Sequence, residues 1–490
     1  MKKRLFLSLL ASALLFAACD FISISFPDYI PGNPGVPDGT TRQFWAQMCR
    51  EKDNSFYTLN AQKLAEGEYC TVWVETGNNR VTAAVAEAMA AAYDTDIYPK
   101  MIAVFGIENY EYEGYNFNTM TLADAVMGDD DGKLLILLLD IRDDFNNTTN
   151  KSYVAGYFAP YNFYSNSDPD IIKYNLKSNE RDMIYVDTYP SVPGDASSNE
   201  TLAHELQHLM NFVNDNAIRG TLTDTWLNEG LSSAAEYVYT GKPDTDRRDW
   251  YNLATTTNKS RITTGNNFFA WDQYKDESNL DDYATVSLFF QWLRLQSGGS
   301  NNIYRAISRS RYPDHNAIVN AMNGYDDWQT LLKTWLAANY INAPTGPYGY
   351  MNDDTLKTVK ARTAPSGTRS VNLYPGEGVY SITANSGSTP NPSGNIRYAG
   401  INSSSRTVND AAIFASGALL TYNIDTNLEG QPQAGTTTGV AASVEAIPES
   451  LSVRTALSGP YKVSMSDMLR RNGHEVFTPP LRLHGGDKDN

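Results

Sequence analysis

Two histidines four residues apart, in a stretch free of helix breakers, constrain this chain more than any other feature. His204 and His208 lie in Thr201–Phe212, which holds neither Gly nor Pro. On a helix, positions i and i+4 stand one turn apart on one face. Both imidazoles can then reach one metal ion at Zn–N distances of roughly 2.0–2.1 Å. Glu205 follows the first histidine, rotated from it by about 100° around the helix. Its carboxylate is placed to face water beside the ion rather than the ion itself. With five histidines in the chain, chance would supply such a string on the order of 0.003 times. A strand-like run, Met183–Asp187, leads into this helix. Its start is expected at Ser197, with Glu200 three residues on completing a capping box.

A third ligand is offered by Glu229, 21 residues after His208, in Thr225-Trp-Leu-Asn-Glu-Gly-Leu-Ser-Ser-Ala-Ala-Glu236. A loop and a returning helix, opening near Thr223 or Asp224 and running to about Tyr239, fit that interval. Helix-facing acids are commonly solvated, but Trp226, Leu227 and Leu231 give Glu229 apolar neighbours. Two His and one Glu leave the fourth tetrahedral position to water, the pattern of a reactive rather than a structural zinc site. A closed cysteine site is excluded, because Cys19, Cys49 and Cys70 are remote in sequence. The metzincin pattern also fails: Asn211 and Asn214 stand where it requires Gly and His.

His204-Glu-Leu-Gln-His208 followed by Trp226-Leu-Asn-Glu-Gly-Leu-Ser232 resembles the gluzincin clan of zinc metallopeptidases. Within that clan the chain looks most like the hyicolysin family of exported bacterial peptidases, over about residues 44–345. The resemblance implies an α+β thermolysin-like catalytic domain: a mixed sheet, the active-site helix, then a helical subdomain. It implies one zinc ion held by His204, His208 and Glu229, with Glu205 as general base. Tyr153–Phe158 would be the edge strand beside an extended peptide substrate. Tyr283 resembles the oxyanion-stabilising tyrosine of aminopeptidase-like members, although a chain with 31 tyrosines offers many for the core. His315 is the competing donor by analogy with thermolysin-like enzymes. Ser233 and Glu236, one and two turns after Glu229, are candidates to orient the histidines, or else ordinary surface residues.

The remaining sequence frames this region. Lys2, Lys3 and Arg4 precede the apolar run Leu5–Phe16, which reads as a signal peptide over residues 1–18. The following Ala17-Ala18-Cys19 is like a bacterial lipobox with Cys19 lipidated, although Phe16 stands where Leu is usual. An ordinary secretory signal with an incidental cysteine is the other reading. Residues 19–43 are rich in Pro and Gly and read as a tether. In an exported protein Cys49 and Cys70 are candidates for a disulfide, or else two buried thiols.

Strands are expected at Cys70–Glu75, Met101–Phe105, Lys133–Ile141, Tyr153–Phe158 and Met183–Asp187. An Ala-rich helix is expected at Val81–Tyr93. The continuous apolar run in Lys133–Ile141 suits a central strand buried on both faces. Residues 200–341 read as mainly helical. From 362 to 484, short β-like runs separated by Gly, Ser, Asn and Pro read as an all-β, sandwich-like module. It would take a glycan or protein ligand. Asp129-Asp-Asp-Gly132 offers oxygens for calcium without the full loop pattern, or forms a solvated turn. His474 and His484 carry no expected role.

A hydrophobic share of 41% supports a sizeable core. The charge of −17 becomes −20 once the three cations of the signal are removed, which excludes nucleic acid as the main partner. The expected activity is zinc-dependent hydrolysis of extracytoplasmic proteins by an envelope-anchored or secreted enzyme. No GxMEN-type segment precedes His204, which favours an endopeptidase over an aminopeptidase. The alternative is a surface-binding lipoprotein with a vestigial peptidase domain.

Overall fold

The computed structural model describes residues 39–50, 53, 55–106, 111–112, 115–116, 133–252, 269, 280–361, 363–364, 369–428, 433–437 and 481–483. The signal segment, Cys19, most of the tether, Asp129–Gly132, His474 and His484 lie outside the described residues. The first strand, β1 (Thr41–Gln47), starts a little before the expected boundary and pairs antiparallel with β2 (Phe56–Glu66). β3 (Cys70–Glu75) extends the sheet antiparallel to β2. Two helices, α1 (Ala83–Ala92) and α2 (Tyr98–Phe105), joined by a π-helical turn, then carry the chain across to β4 (Leu134–Leu139), parallel to β3. All six residues of β4 are buried, as expected for aliphatic side chains on both faces of a parallel strand.

Two short strands follow, β5 (Ser152–Val154) and β6 (Gly156–Phe158), and then β7 (Met183–Asp187). The six-stranded sheet has the order β1-β2-β3-β4-β7-β6, with β7 parallel to β4 and β6 antiparallel at the edge. The sheet curls, so its first strand comes back over its last two. The Trp45 carbonyl accepts from Tyr185 Oη at 3.0 Å, and Gln47 N–H donates to Tyr157 Oη at 3.2 Å. Tyr157 and Tyr185 stack with ring centroids 4.1 Å apart.

Two expectations change here. Met101–Phe105 is helical, not a strand. A five-residue apolar run does not distinguish the two, and Tyr98, Met101, Ile102 and Phe105 are the buried i, i+3, i+4, i+7 face of α2. Cys49 and Cys70 are free thiols. Gln47 faces Phe56 at one end of β2, and Thr71 faces Glu66 at the other. Ten strand residues span about 30 Å, far beyond the roughly 7 Å between Cα atoms that a disulfide tolerates.

After β7 the described residues up to Ile341 are mainly helical: α3 (Ala196–Asn214), α4 (Thr225–Thr240), α5 (Thr245–Asn252), α6 (Leu280–Gln296), α7 (Asn302–Ser308), α8 (Asn316–Ala321) and α9 (Trp328–Ile341). The β-rich region holds β8 (Ser370–Leu373), β9 (Gly378–Thr383), β10 (Ile396–Asn402), β11 (Thr407–Asn409), β12 (Gly417–Asn423) and β13 (Gln433–Thr436). Its main sheet has the order β9-β12-β10-β11, and β8 pairs with β13. One face, with Tyr380, Leu420 and Tyr422, joins the main core, and Tyr380 Oη donates to the Leu336 carbonyl of α9 at 2.7 Å. The other face builds a smaller cluster of Leu373, Val379, Ile396, Tyr398 and Leu419. β13 lies over that face: a Cβ on Gly435 would stand 2.7 Å from Thr421 and 3.3 Å from Ile396. The layering is therefore four strands against two, with a helix on the outside of the larger sheet. A last strand, β14 (Leu481–Leu483), returns to pair antiparallel with β5.

Candidate metal centre

The helix that carries the motif starts earlier than its sequence suggests. Asp195, not Ser197, is the N-cap, accepting from the Ser198 N–H at 2.8 Å. Aspartate satisfies an orphan helix N–H as well as serine does, so Ser197 and Glu200 fall inside α3. The rest of the helix is almost wholly buried between the sheet and α4. His204 and His208 come one turn apart, ring centroids 4.8 Å from each other.

α4 returns across α3 and presents Glu229. Glu229 Oε2 lies 3.4 Å from His204 Nε2 and 3.5 Å from His208 Nε2. The three potential ligand atoms lie within 4.8 Å of one another, and all three residues are buried. The glycine after Glu229 is required by packing: a Cβ on Gly230 would stand 2.1 Å from the Phe290 ring of α6. On the other side of α3, β6 comes close at the level of Glu205. A Cβ on Gly156 would meet Thr201 at 2.8 Å and the Glu205 Cγ at 3.4 Å. The edge strand expected over Tyr153–Phe158 is broken at Ala155 into β5 and β6, and only β6 lies at the edge of the six-stranded sheet, beside Glu205.

Buried polar atoms normally have partners. Here His204 Nε2, Glu229 Oε2 and both carboxylate oxygens of Glu205 are buried without a hydrogen-bond partner. Unpartnered acceptors converging on one point are costly, and a cation between them removes that cost. Two imidazole nitrogens and one carboxylate oxygen are a donor set that suits zinc. The residues present fit such an ion.

The charges respond to this crowding. Burial works against protonation of His204, but Glu229 and Glu236 outweigh it and hold the imidazole up at about 9. Burial raises the Glu229 carboxyl, and His208 and His204 overcome it, holding Glu229 down at about 2. Glu205 is raised by burial, against the pull of His208 and His204. With no cation between them, His204 and Glu229 thus form a buried imidazolium–carboxylate pair at neutral pH, and Glu205 binds a proton more readily than a solvated glutamate.

Around the ligands, the structure separates the sequence candidates. His204 Nδ1–H donates to Glu236 Oε1 at 3.0 Å. For His208 the neighbour is Ser232, not Ser233, with Ser232 Oγ 3.0 Å from Nδ1. Both serines follow Glu229 by about one turn, and only the crossing of α4 over α3 decides between them. Beyond, Asn211 Nδ2 donates to Asn228 Oδ1 at 2.9 Å, and buried Arg219 pairs with Asp215 at 2.6 Å while reaching Asn211 Oδ1. This buried network pins the C-terminal end of α3. The sequence offered no sign of it beyond polar residues on a helix.

Tyr283 is fully buried in the first turn of α6, with the Arg247 guanidinium 4.7 Å from its ring centroid. His315 stands at the N-cap of α8 and is only partly buried. Its ring lies 5.6 Å from that of Trp328, and burial lowers its pKa.

No known family model matches the chain. The chain is similar to the neutral metalloprotease ShpI of Staphylococcus hyicus, with 31% identity over 296 residues, which is 58% of each protein. It therefore spans rather more than half the length of that curated relative. The similarity is to a metalloprotease, and the chain holds a buried His–His–Glu group able to bind a metal ion.

Proposed function

We propose that the chain is a zinc-dependent endopeptidase acting on extracytoplasmic proteins, anchored to the envelope through a lipid on Cys19. The observation that carries this reading is the convergence of buried His204, His208 and Glu229 on one point, with the unpartnered Glu205 carboxylate alongside. The similarity to a metalloprotease supports it. When bound, zinc supplies Lewis acidity, polarising the scissile carbonyl and lowering the pKa of a water molecule.

The chain's own residues do the rest. Glu205 takes the proton of the attacking water, which its raised proton affinity assists, and then returns it to the leaving amine nitrogen. Glu236 and Ser232 hold the two imidazoles in place. Tyr283 is the proposed donor to the oxyanion. β6 offers the sheet edge to which an extended substrate adds by backbone pairing.

The test is incubation of the purified chain with a denatured protein, with and without chelator, followed by sequencing of the products. Internal cleavage abolished by chelator and restored by zinc is expected. Cleavage indifferent to chelator would refute the metal reading. Products shortened one residue at a time would refute the endopeptidase reading.

A further inference from the structure

The hydroxyl of Ser232 has one proton to give and three polar neighbours. Gln207 Oε1 lies within a short hydrogen bond, the Asn228 carbonyl oxygen lies 3.2 Å away, and His208 Nδ1 lies 3.0 Å away. The Asn228 carbonyl is an acceptor only, and the Gln207 amide, as it is oriented, turns its accepting oxygen to Ser232. The hydroxyl proton therefore goes to the glutamine or the carbonyl, and Ser232 Oγ is left to accept from the imidazole. That orientation requires the proton of neutral His208 on Nδ1 and leaves the Nε2 lone pair facing Glu229 Oε2, 3.5 Å away. Gln207 and Ser232 are fully buried, so water does not compete for these bonds. Gln207 is the residue directly before the second histidine, a position that the HExxH pattern leaves open.

We propose that Gln207 and Ser232 form a directed hydrogen-bond relay that locks His208 in the Nδ1–H tautomer, making Ser232 a positioning residue for the metal centre. The two histidines are then held by unlike anchors, His204 by the carboxylate of Glu236 and His208 by a neutral hydroxyl. A carboxylate raises the basicity of its imidazole more than a hydroxyl does. The inference concerns the site on which the proposed peptidase reading rests, but it does not require that activity.

Its test uses the full chain loaded with zinc. Nitrogen-resolved imidazole spectra are expected to show His208 bound through Nε2, with a slowly exchanging proton on Nδ1. Ser232→Ala should make that proton exchange rapidly and weaken zinc binding by roughly 10–100-fold in competition with a chromophoric chelator. Ser232→Thr, which keeps the hydroxyl, should recover most of the affinity. A proton on Nε2 in the unaltered protein would overturn the proposal, whether or not the variants fold. Unchanged exchange and affinity in Ser232→Ala would do the same, as would a threonine variant no better than alanine. If zinc binding and exchange behave as expected while no peptide is cleaved, the peptidase reading fails and the relay stands.

Discussion

At the scale of single residues, chemistry and structure divide cleanly between Glu205 and its neighbours. Glu205 lies beside the three ligands with neither oxygen hydrogen-bonded. In the proposed mechanism, replacing it by Gln removes the base and leaves His204, His208 and Glu229 in place. Glu205→Gln is expected to bind zinc as before and to lose about 10²–10⁴-fold in kcat, measured by peptide cleavage alongside metal analysis. Tyr283→Phe should lower kcat more than it raises KM, read from steady-state kinetics on one peptide; an unchanged kcat would remove Tyr283 from the mechanism. The metal motif was legible in the sequence because the helix period alone brings i and i+4 together. Ser232 was not, since choosing between it and Ser233 needs the angle at which α4 crosses α3.

Among the elements, the contact between α4 and α6 is tight. The Gly230 position has no room for a methyl group against Phe290, and Gly230 adjoins Glu229, the proposed ligand. Gly230→Ala is expected to cost about 1–3 kcal/mol, seen as a lower Tm, and to weaken zinc binding as Glu229 shifts. A Tm equal to that of the unaltered chain would show that α6 yields freely. Most elements could be read from the sequence where pattern and length agreed, as in β4, α3 and α4. The run Met101–Phe105 misled because five apolar residues fit a strand and a helix face equally, and its packing against α3, α4 and α7 decides. The cysteines misled for a different reason: compartment chemistry allows a bridge, but β2 holds the two thiols at its opposite ends.

For the molecule as a whole, the sheet's parallel strands end in a buried acid whose titration bears on stability. Asp187, at the end of β7, accepts from the backbone N–H groups of Ile141, Tyr189 and Ser191. Burial nevertheless raises its carboxyl to about 7, against roughly 3.9 in an unfolded chain. Between those values the folded protein holds more protons than the unfolded one. The contribution is present in full below about pH 4 and is lost as pH rises towards 7. In urea unfolding from pH 4 to 8, the stability of the unaltered protein relative to Asp187→Asn should fall as pH rises. A difference that stays flat or grows would contradict this.

The curl of the sheet also sets an order of assembly. β1 is held by Tyr157 and Tyr185, which lie 110 and 140 residues further along the chain from its bonded partners. A hairpin of β1 and β2 can form early, since its contacts are local. One face of that hairpin must wait, uncovered, until β6 and β7 have been made. Contacts of such sequence separation are slow to close. β1, the first of the described strands, is thus made early and buried late, and a chain arrested before residue 185 would carry that face exposed.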